Sequence, residues 1–364
     1  MVETSLRTVY SWEWAHGLIE EISRSRLHPE YFCNVSWLSS WLFSLPSPPS
    51  LLTFQYEEKC VGLVVLGTQK RRSGLLTWNA AYLNQTGISS CDQSWIEYND
   101  VFCKDGWEDA CIEALMNFIE TSTFTEFHIS LAKKPNSWLN AVSEHWYIET
   151  DKHFAAKVNL DVPNATGHYS KNTKYQINRA IKSVTSRYGS MNVHRAISIE
   201  EKRKYFLLLA EFHIAKWKDS EYGSGFQNPI FTRHLNKLIE QFPEQVDLVS
   251  VSAGTTLLGV SFNLIAGDKI GFYCSGINYA IADKKIKPGY LLHHKLIEYY
   301  AQEGKTEYDF LAGYSQYKKS MSSDTYSLSS INFTRKNLKG IFIHWLRRSK
   351  LRLRAYASKL PIPQ

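Results

Sequence analysis

The chain has no Cys-x-x-Cys pair, no long apolar run and no large excess of either charge, and each absence removes a class of protein. Its six cysteines, at 33, 60, 91, 103, 111 and 274, are scattered without zinc-ligand spacing. Reduced thiols in a cytoplasmic protein are therefore expected, and no metal site. The longest apolar stretch, around CVGLVVLG, is too short to span a bilayer. MVETSLRTVYSWEWAHGLIEE lacks the basic region and apolar core of an export signal, so the expectation is a chain that is not exported. A net charge of +7 on 364 residues is modest and does not call for DNA. A hydrophobic fraction of 44% with 14% aromatics excludes disorder and fits a well-packed globular chain. Eleven tryptophans fill cores or line clefts, and their number does not choose between the two.

The length favours two domains, and the sequence repeats itself accordingly. Residues 54–67, FQYEEKCVGLVVLG, read as two strands joined at Glu57-Glu58-Lys59, and residues 249–265, VSVSAGTTLLGVSFNLI, have the same form. Cys60-Val61-Gly62-Leu63 matches Leu257-Leu258-Gly259-Val260. Downstream, the helical run ACIEALMNFIE precedes TEFHI, as YLLHHKLIEYY precedes TEYDF. Two copies of hairpin, third strand, helix and buried strand predict a duplicated α/β unit, with the seam near residues 161–167. The expected division is 1–165, 166–337 and a basic tail, 338–364.

The second copy is better equipped for chemistry. Lys284, Lys285 and Lys287 precede Pro288, a residue suited to the first helical position, so the helix start offers free N–H groups beside cationic side chains. A solvated loop is the alternative. The corresponding first-copy stretch, KDGWEDA, is acidic. In TEYDFLAGYSQYKK, Asp309 interrupts an apolar run, Gly313 turns the chain, and Tyr314, Tyr317 and Lys318 follow. This reads either as a catalytic edge at a strand end or as a solvated turn.

These pieces, in order, resemble the GNAT acyltransferase core. The duplicated arrangement is similar to the FemAB-like and polysaccharide-biosynthesis-associated acetyltransferases, which carry two GNAT-like halves. Residues that carry the resemblance are Ser170-Lys171-x-x-Lys174-x-x-Ile177-Asn178-Arg179-Ala180, His213-x-x-x-Trp217, Gly223, Gly225 and Phe226, Lys287-Pro288-Gly289-Tyr290-Leu291-Leu292, and Asp309-Phe310-Leu311-x-Gly313-x-x-x-Tyr317-Lys318. The family's glycine-rich pyrophosphate loop is reduced here to Lys287-Pro288-Gly289.

The resemblance implies a mostly antiparallel sheet flanked by helices in each half, and direct acyl transfer from acetyl-CoA or another acyl-CoA to the amine of a small acceptor such as an amino sugar or amino acid. It implies a cytoplasmic enzyme of cell-envelope or exopolysaccharide biosynthesis. Strand 269–276, with Tyr273 and Cys274, would splay from strand 307–312 to admit the pantetheine arm. A small buried apolar role is the alternative for Cys274. Lys285, Lys287, Pro288, Gly289 and Tyr290 would hold the pyrophosphate. His213 would be the base, because imidazole titrates near neutrality. Packing against Trp217 one turn away is its alternative. Asp309 would position the neighbouring acid or the acceptor amine. Tyr317, or in competition Tyr314, would protonate the leaving thiolate, and Lys318 would meet phosphate or developing negative charge. Lys174 and Asn178 on a basic helix, with Trp217, would face the acceptor, a solvated helix face being the alternative.

The C-terminal stretch RKNLKGIFIHWLRRSKLRLRAYASKLPIPQ has no acidic residue and mixes Ile341, Phe342, Trp345 and Leu346 with many cations. It would either lie on the anionic inner face of a membrane or dock as a terminal helix. Two rival readings remain. One is a FemAB-like transferase that takes its aminoacyl group from charged tRNA. The other is a non-catalytic binding or assembly subunit.

Overall fold

In the computed structural model, residues 2–27, 30–220 and 223–357 are described, with side chains as far as residue 349. The first half runs β1 (Glu3–Arg7), α1 (Trp12–Ser23), α2 (Val35–Ser44), β2 (Ser50–Tyr56), β3 (Lys59–Ser73), β4 (Leu76–Leu83), β5 (Phe102–Cys103), α3 (Glu108–Thr121), β6 (Glu126–Ala132), α4 (Pro135–Asn140) and β7 (Trp146–Asn159). The second runs α5 (Lys171–Tyr188), β8 (Met191–Arg195), α6 (Ile199–Trp217), α7 (Pro229–Gln241), β9 (Val246–Ala253), β10 (Thr256–Ala266), β11 (Lys269–Ile277), α8 (Pro288–Gln302), β12 (Glu307–Ala312), α9 (Gln316–Met321), β13 (Asp324–Arg335) and α10 (Leu338–Ala357).

Local chemistry sets many of these boundaries. Ser170 accepts from Thr173 N–H to start α5, and Gly189 at φ 100° ends it. Ser198 and Glu201 form a reciprocal capping box on α6. Pro288 occupies the first turn of α8, as the sequence predicts. Glu57 and Glu58 both take positive φ, the two-residue turn that matches strand twist between β2 and β3.

The strands form one mixed, mostly antiparallel sheet ordered β1-β2-β3-β4-β6-β13-β7-β12-β11-β10-β9-β8, with β5 beside β3. The two halves meet by exchange. β7 leaves the first half to pair with β12, and β13 leaves the second to pair with β6. The two exchanged strands pair with each other from Asp324↔Lys157 to Arg335↔Trp146. Ala156 and Val158 of β7 accordingly pack with Ile177, Leu292 and Tyr308, while Ile331 and Phe333 of β13 pack with Leu115, Phe127 and Trp138. Burying each such large side chain stabilises by roughly 1.5–3 kcal/mol, so each half contributes to the other's core. A third core joins α1 and α2 to α6 and α7 on the opposite face of the sheet.

The sequence repeat has a structural counterpart. β4 pairs in parallel with β6 for three residue pairs, and β11 with β12 for three, after which each pair diverges. The register breaks beside Gly62 on β3 and beside Gly259 on β10. Leu131 near the end of β6 and Leu311 near the end of β12 both adopt left-handed φ, 47° and 59°. Bulky residues rarely do so, which makes the pair a shared backbone device.

Candidate active site at the β11–β12 splay

The alternation of β12 sends Tyr308 and Phe310 into the core beneath α5 and α8, and Asp309 and Leu311 to the opposite face. There Asp309 is fully buried. Its carboxylate accepts from Leu311 N–H at 2.8 Å, from the Tyr326 hydroxyl at 2.8 and 2.7 Å to its two oxygens, and from the Tyr98 hydroxyl. Tyr98 and Tyr326 also bond each other. Burial raises the Asp309 carboxyl to about 6 although these donors pull it down. Burial, then the Asp309 charge, pushes both tyrosines up.

Beside them, Glu97 accepts from Ala312 N–H at 2.7 Å. Burial raises Glu97 to about 7, against the pull of that amide and of Lys318. Lys318 donates to Ala312 O at 2.7 Å, and burial lowers its ammonium. The strand end thus brings together the partly buried Glu97 and the buried Asp309, both raised by desolvation, with two tyrosines and a lysine.

β11 faces this cluster across the gap. Its pairing with β10 skips from Cys274 to Phe272, so Tyr273 is the extra, bulged residue. The Tyr273 ring is locked by its hydroxyl on Ser94 O at 2.8 Å. At Gly271 an added Cβ would meet the Tyr31 ring at 3.0 Å, so glycine permits the close approach. Tyr31 is 4% exposed, and its hydroxyl has no partner among the described residues. A buried unpaired hydroxyl beside a bulged strand and a base-range carboxyl can hold an acyl carbonyl and accept a proton from an attacking amine.

The expected site residues do not all converge here. Asp309, Lys318, Tyr273 and Cys274 lie on β12, α9 and β11 around the splay, and burial raises the Cys274 thiol. Tyr317 turns to the opposite face, where its ring stacks on His293 at 4.8 Å and burial raises its phenol to about 12. The place beside Asp309 expected for Tyr317 is held by Tyr98 and Tyr326. Tyr314 is 64% exposed and packs on Phe154.

His213 bonds Ser224 Oγ at 2.8 Å and packs on Phe226 and Trp217. Burial lowers its imidazole to about 4, in place of the near-neutral value expected. Lys174 donates to Gly167 O, and Asn178 is exposed. Ahead of α8, the Asp283 carboxylate accepts from Lys285 N–H and Ile286 N–H, both at 2.6 Å, and pairs with Arg187. Lys287 donates to Gln176 and lies over the Tyr290 ring. Gly289 has open space around its Cα, and Pro288 is buried. Two of the loop amides ahead of α8, those of Lys285 and Ile286, are thus occupied by an internal carboxylate.

Sequence reasoning missed Glu97, Tyr98, Tyr326 and Tyr31. The first two lie in an irregular segment between β4 and β5, where no periodicity or motif marks them. The alternation of β13 places Tyr326 on a face but does not identify the partner.

Comparison with known proteins agrees with this architecture. Residues 171–319 match the acetyltransferase (GNAT) domain family. No curated protein matches the sequence. Solved structures share the fold over nearly the whole chain. FemX is 10% identical, with 91% of this chain and 98% of that one covered, at a TM-score of 0.53. The C-terminal domain of a putative lysylphosphatidylglycerol synthetase from Agrobacterium fabrum is 8% identical over 94% and 97%, at 0.55. A conserved protein of unknown function from Bacteroides thetaiotaomicron is 12% identical over 91% and 99%, at 0.54. The match to the acetyltransferase (GNAT) domain family thus falls in the second half of the chain, and the fold as a whole is similar to that of FemX.

Proposed function

We propose that the chain is an acyltransferase that moves an activated acyl group to the amine of a small acceptor at the β11–β12 splay. The observation that carries this reading is the bulge at Tyr273 facing the Glu97–Asp309–Tyr98–Tyr326 cluster across diverging parallel strands. The bulged strand presents backbone N–H to the acyl oxygen, where negative charge develops. The acceptor nitrogen forms a bond to the acyl carbon while the bond to the leaving sulfur or oxygen breaks. Glu97 takes the amine proton, and a tyrosine of the cluster supplies one to the leaving group. Asp309 holds those tyrosines rather than touching the acceptor. No Ser or Cys of the splay is activated as a nucleophile, which favours direct transfer.

Acyl-CoA is the donor that a GNAT domain implies, with Lys285, Lys287 and Tyr290 at its phosphates and Cys274 along its arm. A charged tRNA is the second reading, and one observation favours it: Asp283 already takes two of the loop amides ahead of α8, those of Lys285 and Ile286. The name of one similar structure, a putative lysylphosphatidylglycerol synthetase, fits transfer of an aminoacyl rather than an acetyl group. The basic tail would then meet RNA or anionic lipid; its residues 358–364 lie outside the described residues. In α10, Ile341, Phe342 and Trp345 are exposed, and no helix among the described residues is long and apolar enough to cross a membrane.

Thermal shift with acetyl-CoA, free CoA and deacylated or charged tRNA tests the donor, since a ligand that binds only the native state raises its melting temperature. Stabilisation by CoA together with acetyl transfer to an amino sugar or amino acid supports the first donor, and stabilisation by tRNA alone supports the second. No shift with either overturns the transferase reading and leaves the binding or assembly role.

A further inference from the structure

The first half has its own cleft, on the same face of the sheet as Asp309. In the parallel ladders, His128 pairs with Tyr82 as Asp309 pairs with Gly271, so His128 is the first-half counterpart of Asp309. Asp309 is sealed beneath Tyr31 and Tyr98, but His128 borders an open cleft of about 510 Å3. That volume suits a small ligand.

The floor of the cleft is internally neutralised. Glu126 is buried, accepts from Trp78 Nε1 at 2.6 Å and pairs with Arg347. Although burial alone would raise it, His128, Arg347 and Trp78 hold its carboxyl down to about 2. Arg347 is further tied to Glu149 at 3.2 Å. His128 is fixed by Asn332 Oδ1 at 2.6 Å and stacks on Tyr82.

The rim is not neutralised. Arg71 donates through Nε to the Tyr82 hydroxyl at 2.7 Å, and Arg72 through Nε to Gly74 O at 2.8 Å. Neither pairs with a carboxylate among the described residues, and their terminal amino groups have no acceptor there. Both border the cleft, although consecutive strand positions leave β3 on opposite faces, Arg71 beside Trp78 on the cleft face and Arg72 beside Thr77 near the strand end. The terminal amino groups of each suit phosphate oxygens. Around them the wall offers neutral donors and acceptors, Gln85, Ser130, Ser330 and Asn332, beside the partly buried Trp78 ring. Hydroxyl-sized polar groups below a cationic rim fit a sugar carrying phosphate better than an apolar anion.

We infer that this first-half cleft binds a phosphorylated sugar, with Arg71 and Arg72 on the phosphate and Gln85, Ser130 and Asn332 on the hydroxyls. The site is independent of the acyl-transfer reading, since no group of the β11–β12 splay lines it.

The test is calorimetric titration of the full chain with a panel of phosphorylated monosaccharides, with inorganic phosphate, and with unphosphorylated glucose, beside flotation with phosphatidylglycerol vesicles. At least one sugar phosphate is expected to bind with micromolar to low-millimolar affinity, and glucose not to bind. Arg71→Glu with Arg72→Glu is expected to weaken that binding at least tenfold, and Asn332→Ala severalfold, with unchanged circular dichroism. Absence of binding by every sugar phosphate, or affinity indifferent to the Arg71/Arg72 double variant, overturns the proposal. So does vesicle binding that the double variant abolishes while sugar phosphates fail, which would give the rim to a lipid headgroup. Acyl-transfer activity does not enter any of these readouts, so a failed transferase assay leaves this site testable.

Discussion

Where β4 parts from β6, the gap is bridged by amides: Asn99 donates to Leu83 O at 2.9 Å and to Ser130 Oγ at 3.3 Å, and accepts from Asn84 at 2.9 Å. Asn84 also binds both the N–H and the C=O of Val65. β4 pairs with β3 without a bulge up to Tyr82. Where β11 parts from β12, the strand bulges at Tyr273, and the filling groups are a carboxyl raised to about 7, another raised to about 6 and two tyrosines. In the gap beyond the parting strands, one backbone plan thus carries bonded neutral amides in the first half and ionisable groups in the second. Residues 84–99 supply the amides of the first filling and Glu97 and Tyr98 of the second, so the first half helps complete the second half's site. Neutral, fully bonded amides rigidify a junction, whereas buried titratable groups cost stability and are kept where chemistry uses them.

The largest expected difference is in turnover. Glu97→Gln keeps the shape and the Ala312 contact but cannot take a proton, so kcat should fall about 100-fold or more with little change in melting temperature. Asn99→Ala should do the reverse, losing about 1–3 kcal/mol of stability because it strands Leu83 O and the Asn84 amide, with turnover of the folded fraction little changed. Equal losses of activity in both variants would erase the distinction between the two splays.

Tyrosine variants sharpen it. Tyr326→Phe should lower turnover about tenfold, and Tyr317→Phe less, because the Tyr317 ring lies across the sheet from Asp309. A larger loss in Tyr317→Phe, at unchanged donor affinity, would move the acid to the α8 side. The rate profile should carry an acidic limb near pH 7 that Glu97→Gln removes and His213→Ala leaves, since the buried His213 imidazole is lowered to about 4.

Stability against pH should also differ between the halves. Asp309 and Glu97 are raised, so the native state holds protons more tightly than the unfolded chain; their contribution is present below about pH 4 and lost as pH rises through about 6 to 7. Glu126 is lowered, so its contribution is present above about pH 4.5 and lost as pH falls toward 2. Asp309→Asn should therefore flatten the fall in urea midpoint between pH 5 and 7, and Glu126→Gln should flatten the fall below pH 4. An unchanged slope in either variant refutes the assignment for that carboxyl.

The smallest effect is expected at the loop before α8. Lys285→Glu with Lys287→Glu should leave stability within about 0.5 kcal/mol, because both side chains are exposed. If acyl-CoA is the donor, CoA affinity should fall at least tenfold in titration calorimetry. Unchanged affinity would remove the loop from the site.

The resemblance to GNAT acyltransferases implied the divergence of KIGFYCSG from TEYDF; periodicity and punctuation alone determined the duplicated hairpin–helix–strand plan and the helix start at Pro288. These are legible because they follow from side-chain alternation and from backbone preferences that each residue carries locally. Only the tertiary structure decided that β7 and β13 change places, since pairing partners such as Glu307 with Asn159 and Thr334 with Glu126, far apart in the chain, leave no local trace. It also decided the neighbours of Asp309. Tyr98 lies 211 positions away, and Tyr317, eight positions away, is carried to the other face by the left-handed Leu311 and the turn at Gly313. His213 shows the same limit: its residue type promised a near-neutral base, but burial disfavours the charged ring, and burial is a property of the packed molecule.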